Sequence, residues 1–578
     1  MSTAALALVA GQAFAQTAET VQVADAMEAG AGSEDRVVVT GSRVATGEDA
    51  PTPVMQLSLD DLNITTPTNI ADSLGQMPVF ANSPGSSRTG FGIAGGNFLN
   101  MRSLGSNRTL VLLDGRRFVT SALPGSGATS VNVDSIPQGL VKRVDTVTGG
   151  ASAAYGSDAV AGVVNFVLDT EFEGLKAEIV GGQTFRDDGF NWKAQISGGG
   201  SFADGRGHVL LNVEHAQSDG IEGEHSGKRK PPRPWMDSVN AIVANPLAAQ
   251  PGQPAFITLE NARFPYYTFE GMVRSGPLLG TGFNPDGSTK PYDLGNPVAG
   301  VWASGGDGWN PSSAYDLAAA YDRSALFGRV SYDLTDTLNV YAEAMFATVD
   351  TESHVGHGYA DAISPGGLPV SLDYAYLPAN LRTEMVNRGL TTLRIGKGFE
   401  SIGQSLNSAT TRIVVGADGA FGGGWDWSTY YQYGQTKGAI EFENVQNSIA
   451  FRNALDAVVG PNGIVCRSTL TNPFDGCVPY NIFGDRGDGT GNGFTQAEHD
   501  YLFPTARYSN SNSQHVFEAT VHGTAFAKWA GDVNVAAGGG YRKESLERGS
   551  NQLAGLRNPY TGVVGAYAYA NQPAIEGA

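Results

Sequence analysis

The sequence predicts a mainly β fold, a transmembrane antiparallel β-barrel with an N-terminal α+β domain in its lumen. Three observations predict it. After about Phe172 the chain falls into segments of strict two-residue alternation, polar against apolar, each about ten to fourteen residues long. Tight turns alternate with very long connections along those segments. No run of eighteen or more apolar residues exists, which excludes membrane-spanning helices and leaves spanning strands open.

Composition agrees. Of 578 residues, 37 are Lys or Arg and 57 are Asp or Glu, a formal net charge of -20 that argues against nucleic acid. Charged residues are 16% of the chain and apolar residues 41%, too apolar for disorder and less charged than the ~25% of ordinary soluble domains.

Taken in order, residues 1–15 read as a secretory signal. Ala4 to Ala10 is apolar, and Ala13, Phe14 and Ala15 form a small-residue cleavage site before Gln16, although no Lys or Arg opens the segment. Export makes the two cysteines, Cys466 and Cys477, candidates for a loop-closing disulfide. No second Cys or His pair stands nearby at ligand spacing, so no zinc site is expected.

Between Arg36 and Leu168 short strands, small helices and Gly/Ser loops mix as in a compact domain. Nine candidate strands follow, near 175–184, 190–202, 206–217, 323–334, 337–350, 409–420, 424–437, 513–526 and 531–545. Leu338, Val340, Ala342, Ala344 and Phe346 share one face of the fifth, and Asn339, Tyr341, Glu343 and Met345 the other. Leu326, Gly328 and Val330 alternate with Phe327 and Arg329, and Val209, Leu211 and Val213 with His208, Asn212 and Glu214. Such strands place apolar side chains toward lipid and polar ones toward a wet lumen. Trp425, Trp427, Tyr431 and Tyr433 face one way, as an aromatic girdle requires. Three structureless connections, 218–322, 351–408 and 438–512, are expected to be the external loops of a barrel, since compact soluble domains rarely tolerate them.

Three segments carry a family resemblance: DRVVVTG at Asp35 to Gly41, MRSLGSNRTLVLLDGRR at Met101 to Arg117, and VDSIPQGLVKRVDTVTGGASAAYGSDAVAGVVNFVL at Val133 to Leu168. The last is the most specific. Together they resemble the plug of TonB-dependent outer-membrane receptors, and by pattern the resemblance extends through the strands. It implies a signal peptide at 1–15, a periplasmic segment with a TonB-box-like strand at 16–41, a plug at 42–168 and barrel strands over 172–578. The family's barrel has twenty-two strands, so the nine visible here are expected to be its N-terminal part, with the C-terminal strands missing. In the family, plug arginines pair with glutamates on the barrel wall. Arg102 matches one of them, and Arg143 stands near the other, whose position is Thr148 here; Glu518 and Glu544 are the expected wall partners.

The TonB-binding residues would be Val37, Val38, Val39 and Thr40, an extended run suited to strand addition. Solute contact would come from plug apices at 81–97 and 120–130, with Arg88, Phe91, Asn97 and Ser126 as candidates, and from the long loops. His354 and His357 stand at H-x-x-H spacing and read as loop histidines rather than ligands, and Asp485, Asp488 and Asn492 miss the calcium-loop pattern. No catalytic motif and no cofactor signature occurs. The resemblance therefore implies a monomeric receptor of the bacterial outer membrane, in contact with its lipid, that binds a scarce solute and imports it with energy from TonB. A passive porin or adhesin is the alternative.

Overall fold

The computed structural model describes residues 54–63, 68–81, 83–85, 96–122, 129–149, 152–222, 240–299, 301–310, 315–484, 494–529, 531–551, 553, 556 and 575–577. Val37 to Thr40, Arg88, Phe91, Ser126, the signal segment, Asp485, Asp488 and Asn492 lie outside the described residues.

The N-terminal domain is built on a mixed sheet of β1 (Val54–Ser58), β2 (Thr109–Leu113), β3 (Arg116–Arg117), β4 (Val141–Val147) and β5 (Gly162–Leu168), in the order β1-β4-β5-β2-β3. Only β2 and β5 run parallel; β2 (TLVLL) and β5 (GVVNFVL) are mostly apolar, and every residue of β2 is buried. The β2–β3 hairpin turns at Asp114 and Gly115, with φ of 51° and 74°, the two positive values a type I′ turn demands. At Gly162, φ 143°, a Cβ would stand 2.2 Å from the Val147 carbonyl and 2.3 Å from the Met101 sulfur, so only glycine lets β5 start there. The helix Ile70–Gly75 is capped by Asn69, whose Oδ1 accepts from the Ala71 amide at 2.9 Å.

The second element is one antiparallel meander, the wall. Its strands are β6 (Gly174–Gly182), β7 (Asn191–Phe202), β8 (Gly207–Ser218), β9 (Ala320–Thr335), β10 (Leu338–Tyr359), β11 (Gly398–Gly422), β12 (Trp425–Phe442), β13 (Ala506–Lys528), β14 (Gly531–Ser550) and the short β15 (Ile575–Gly577). Each pairs with its sequence neighbours. All nine expected strands are present, and alternation sorts their faces as read. Leu211, Val213, Leu326, Phe346, Ile413 and Val415 are exposed on the outer face, while Asn212, Glu214, Phe327, Tyr341 and Glu343 are buried on the inner one.

Strand length differs from the expectation. β10 continues to Tyr359 and β11 begins at Gly398, because the hydrogen-bond ladder runs on past the apolar band, where neither face is apolar and the alternation signal fades. His354 and His357 therefore sit in a strand end rather than a loop. Asp316 receives the His354 amide at 2.7 Å, and the His357 ring packs 4.8 Å from Trp309 and 5.0 Å from Phe269.

The long connections are not structureless either. Residues from all three share a core that includes Val273, Phe283, Leu368, Ile395, Phe451 and Phe503. A five-stranded sheet and the helices Ala379–Asn387, Ser448–Ala454 and Gln496–Leu502 build it. Cys466 and Cys477 form a disulfide in the third connection, with Cα atoms 6.2 Å apart.

The outer face carries a direct test. Val209→Arg, level with Val330 and Ala342, places a charge in the middle of the outward apolar band and is expected to cost about 2–4 kcal/mol in a bilayer, against little for Gln217→Arg beyond the band. Urea unfolding of the two variants in lipid vesicles measures the difference.

Candidate functional site

Between the N-terminal domain and the wall, charged side chains converge on two inward carboxylates, Glu343 and Glu214. Alternation on β10 turns Tyr341, Glu343 and Met345 inward together. The Glu343 carboxylate, 1% exposed, then meets three arginines: Arg116 from β3 at 3.1 Å, Arg329 from β9 at 2.6 Å and Arg412 from β11 at 3.1 Å. Arg116 is the one that crosses from the domain. The β2–β3 turn throws it toward the wall, where its Nη2 donates to the Tyr341 hydroxyl at 2.7 Å and its guanidinium lies over the Tyr341 and Tyr430 rings, 4.9 and 5.4 Å from their centroids. Burial works against its charge, but Glu343 and Asp114 outweigh that and hold Arg116 above the usual arginine range.

A second link stands at Glu214, inward on β8. One carboxylate oxygen pairs with the fully buried Arg323 of β9 at 2.6 Å, and the other accepts the backbone amides of Gln138 and Gly139 at 2.9 and 3.1 Å. Gly139 is required by the approach itself, since a Cβ would stand 2.2 Å from the Asn212 amide nitrogen. The neighbouring Asp134 ties the domain internally. Its carboxylate accepts from Asn69 at 2.9 Å and from Asn97 at 2.9 and 3.0 Å, while Arg323 reaches its backbone carbonyl at 3.4 Å. Burial pushes the Asp134 carboxyl above its ordinary range, opposed by Arg323 and the two amides.

A third link is more exposed. Asp158 of the domain is shared by Arg117 of β3 at 2.6 Å and Arg542 of β14 at 2.9 Å. Desolvation raises the Asp158 carboxyl, yet the two guanidiniums prevail and hold it below its ordinary range. Arg117, which loses to burial and to repulsion from Arg542, is held below its own. Side-chain amides complete the attachment: Gln432 of β12 donates to the Arg117 carbonyl at 2.7 Å and Asn512 of β13 to the Thr120 carbonyl at 3.0 Å.

The sequence-derived charge pairs are corrected by this arrangement. Arg102 is exposed in a turn with φ 54°, because the buried residue of that turn is Met101. Arg143 pairs with Asp145 of its own strand at 2.9 Å. Glu518 accepts the Tyr430 hydroxyl at 3.2 Å and Glu544 the Gln514 amide at 2.9 Å, both from wall side chains. Asn97 is 3% exposed: its side-chain amide is bound to Asp134, and the residue lines a cavity of about 530 Å³ together with Asp72, Ser83 and Tyr321. Neither the family resemblance nor the strand pattern singles out Arg116. The signal that finds it is a pair of arginines directly after a two-residue hairpin turn, opposite inward Glu343.

Among the described residues no group of His, Cys, Asp and Glu could hold a metal ion. A cavity of about 400 Å³ lies between β3, β5 and the wall, with Arg116, Arg117, Asp418, Tyr430 and Glu518 in its lining.

Comparison with known proteins follows the same lines. Residues 46–163 match the TonB-dependent Receptor Plug Domain family. The chain is similar to the vitamin B12 transporter BtuB of Vibrio vulnificus, 26% identical over 204 residues, which are 33% of this chain and 32% of that protein. It is also similar to an iron-regulated outer membrane virulence protein of Vibrio cholerae, 28% identical over 138 residues, 23% of this chain and 20% of that one. Among solved structures, the ferric enterobactin receptor PfeA of Pseudomonas aeruginosa aligns over 87% of this chain and 56% of its own, with a TM-score of 0.38 and 14% identity. The P. aeruginosa receptor FpvA, bound to a pyoverdine, aligns over 91% and 48%, with a TM-score of 0.45 and 10% identity. The chain thus spans a third or less of the curated relatives' length and about half that of the solved receptors.

Two tests follow from the geometry. Glu343→Gln takes the counter-charge from the buried Arg412 and weakens the pairing of the half-buried Arg116 and Arg329, and is expected to destabilise the seated domain by about 3–5 kcal/mol, read by chemical unfolding. The Asp158 link is acid-sensitive: a carboxyl depressed in the folded state stabilises above its unfolded value of about 3.9 and loses that stabilisation as pH falls through the folded one. Acid titration of domain release should show an increment below about pH 4 that Asp158→Asn lacks.

Proposed function

We propose that this chain, which carries the TonB-dependent receptor plug over residues 46–163, works as an outer-membrane receptor that binds a scarce extracellular solute and imports it with energy from TonB. One observation carries the reading. The plug has its own apolar core and meets the wall chiefly through ion pairs and amide contacts. Of the buried apolar residues clustered with that core, only Leu210, Phe327 and Met345 come from the wall strands. An interface of this kind can be taken over by water bond for bond, so a pull on the plug meets separable polar links instead of a continuous apolar seal. A passive pore has no use for such an attachment.

The mechanism assigned to these parts is mechanical. Val37 to Thr40, a valine-rich run that precedes the plug in sequence, would pair with TonB by strand addition. Force along that strand would reach β1, which pairs with β4, and from there the segment that Glu214 grips at Gln138 and Gly139. Solute would enter from the side of the long connections, and its occupancy must favour the state in which TonB finds its strand. The solute class stays at siderophore, vitamin, oligosaccharide or a similar compound. The names of the similar proteins support import of scarce nutrients in general.

Deletion of Val37 to Thr40 is expected to abolish accumulation of the solute while leaving surface binding intact, measured with a panel of ferric siderophores, cobalamin and oligosaccharides in a strain lacking the native gene. Uptake that persists after the deletion, or after collapse of the proton-motive force, would replace the reading with passive diffusion.

A further inference from the structure

The cavity of about 530 Å³ that Asn97 lines sits between the plug and the wall, at the end of the wall where the first long connection leaves β8 and returns to β9. The outward apolar residues of β9 and β10 stop at Leu326 and Phe346, which are register partners. Tyr321, the cavity's residue on β9, stands five positions farther along, about 13 Å higher at about 3.4 Å per residue and a tilt near 40°. The cavity therefore lies beyond the apolar band, on the side of the long connections.

Both bodies build it, and register explains the wall's part. Asn191, Ser218 and Tyr321 are partners in one row across β7, β8 and β9, on the same inward face as Glu214. The rim closes at Gly220, φ 65°, where a Cβ would stand 2.6 Å from the Ala318 carbonyl and hold the two ends of the connection apart. On the plug side Asp72 comes from the first turn of the helix Ile70–Gly75, and Asn97 is fixed through its amide nitrogen, which donates to Asp134. Asn97 Oδ1 is thereby turned to Gly85, where a Cβ would stand 2.5 Å from it and 3.6 Å from Asp72 Oδ1, so two acceptors converge on one side of the cavity. Ser83 and Ser218 accept the amides of Asn100 and Gly220 at 2.9 and 3.3 Å, and each hydroxyl keeps its hydrogen to donate. Among the described residues the lining carries one charged side chain, Asp72, and no Lys, Arg or His. Two positions deeper on the same strands, Lys193 and Arg323 are taken by Glu178 at 3.9 Å and Glu214 at 2.6 Å.

We propose that this cavity takes an uncharged saccharide. The proposal rests on the reading of the chain as an importer whose solute enters from the side of the long connections, and it chooses among the classes that reading leaves open. A sugar brings neighbouring hydroxyls that donate to Asp72 and Asn97 Oδ1 and accept from Ser83 and Ser218, while its C–H face packs on Tyr321. The volume falls within the ~300–1,000 Å³ of sites that enclose a small ligand. A ferric siderophore with net negative charge meets a carboxylate there and no cation to offset it, and is disfavoured.

Isothermal titration calorimetry of the full chain in detergent tests this, with glucan, xylan, mannan and chitin trisaccharides as neutral probes and ferric enterobactin as the anionic one. A trisaccharide should bind at least about tenfold more tightly than ferric enterobactin, and Asp72→Asn, which removes a charged acceptor, should weaken it about tenfold. Ser218→Trp, which fills the cavity from the wall, should abolish it. An unchanged far-UV spectrum and thermal transition show that each variant keeps its fold. Failure of every trisaccharide to bind, tighter binding of ferric enterobactin, or saccharide binding that both variants retain overturns the proposal. A chain that binds the saccharide but still accumulates it in cells after deletion of Val37 to Thr40 overturns the import reading and leaves the cavity's assignment standing. One that imports only a siderophore or cobalamin, and loses that import with the deletion, overturns the assignment alone.

Discussion

A single inward carboxylate organises the interface between plug and wall. Glu343 carries one negative charge, and three guanidiniums from three different strands converge on it. None of those arginines could be buried alone, because an isolated charge taken out of water costs several kcal/mol. Arg116, paired with Asp114 inside the plug, reaches across to Glu343 and so orients the plug. Once β3 is docked there, Val119 lies against Gly434, where a Cβ would come within 2.9 Å of it, and Gln432 and Asn512 can reach the plug backbone. Glu214 repeats the device on β8, using a carboxylate shared between a buried arginine and two backbone amides.

The same economy of apolar contact separates the two bodies. The plug buries β2 and β5 within itself, and Leu74, Phe80, Val144 and Phe166 complete a core that needs the wall at few points. The wall faces outward with its apolar side, so it has little hydrophobic surface left to offer inward. At the far end the long connections make a core of their own, with Phe283, Tyr374, Phe451 and Phe503 fully or nearly buried.

Much of this architecture was legible in the sequence because its cause is local. Alternation is a property of neighbouring residues, and it placed Glu343, Arg329 and Asn212 on the inner face and Leu211, Val213 and Phe346 on the outer one. The turn between β2 and β3 is local in the same way, an Asp-Gly pair at Asp114 and Gly115. What was not legible depends on long-range partners. Arg102 and Arg116 are both arginines beside turns, and which one meets the wall is decided by Met101 filling the core and by a carboxylate more than two hundred residues away. The core of the connections draws on Val273, Leu368 and Phe503, apolar residues scattered without a period, and no window along the chain reveals that they meet. Asn97 follows a Gly-rich segment, and nothing along the chain shows that its amide binds Asp134, 37 residues away.

The central claim is that the plug is a separately folded body held in place by polar links. Hydrogen–deuterium exchange of the protein in lipid vesicles, followed through a urea series, measures this directly. Amides of β2, β4 and β5 should lose protection together in a first transition, while those of β8 to β13 stay protected until a second. A single transition in which plug and wall amides open together would contradict it.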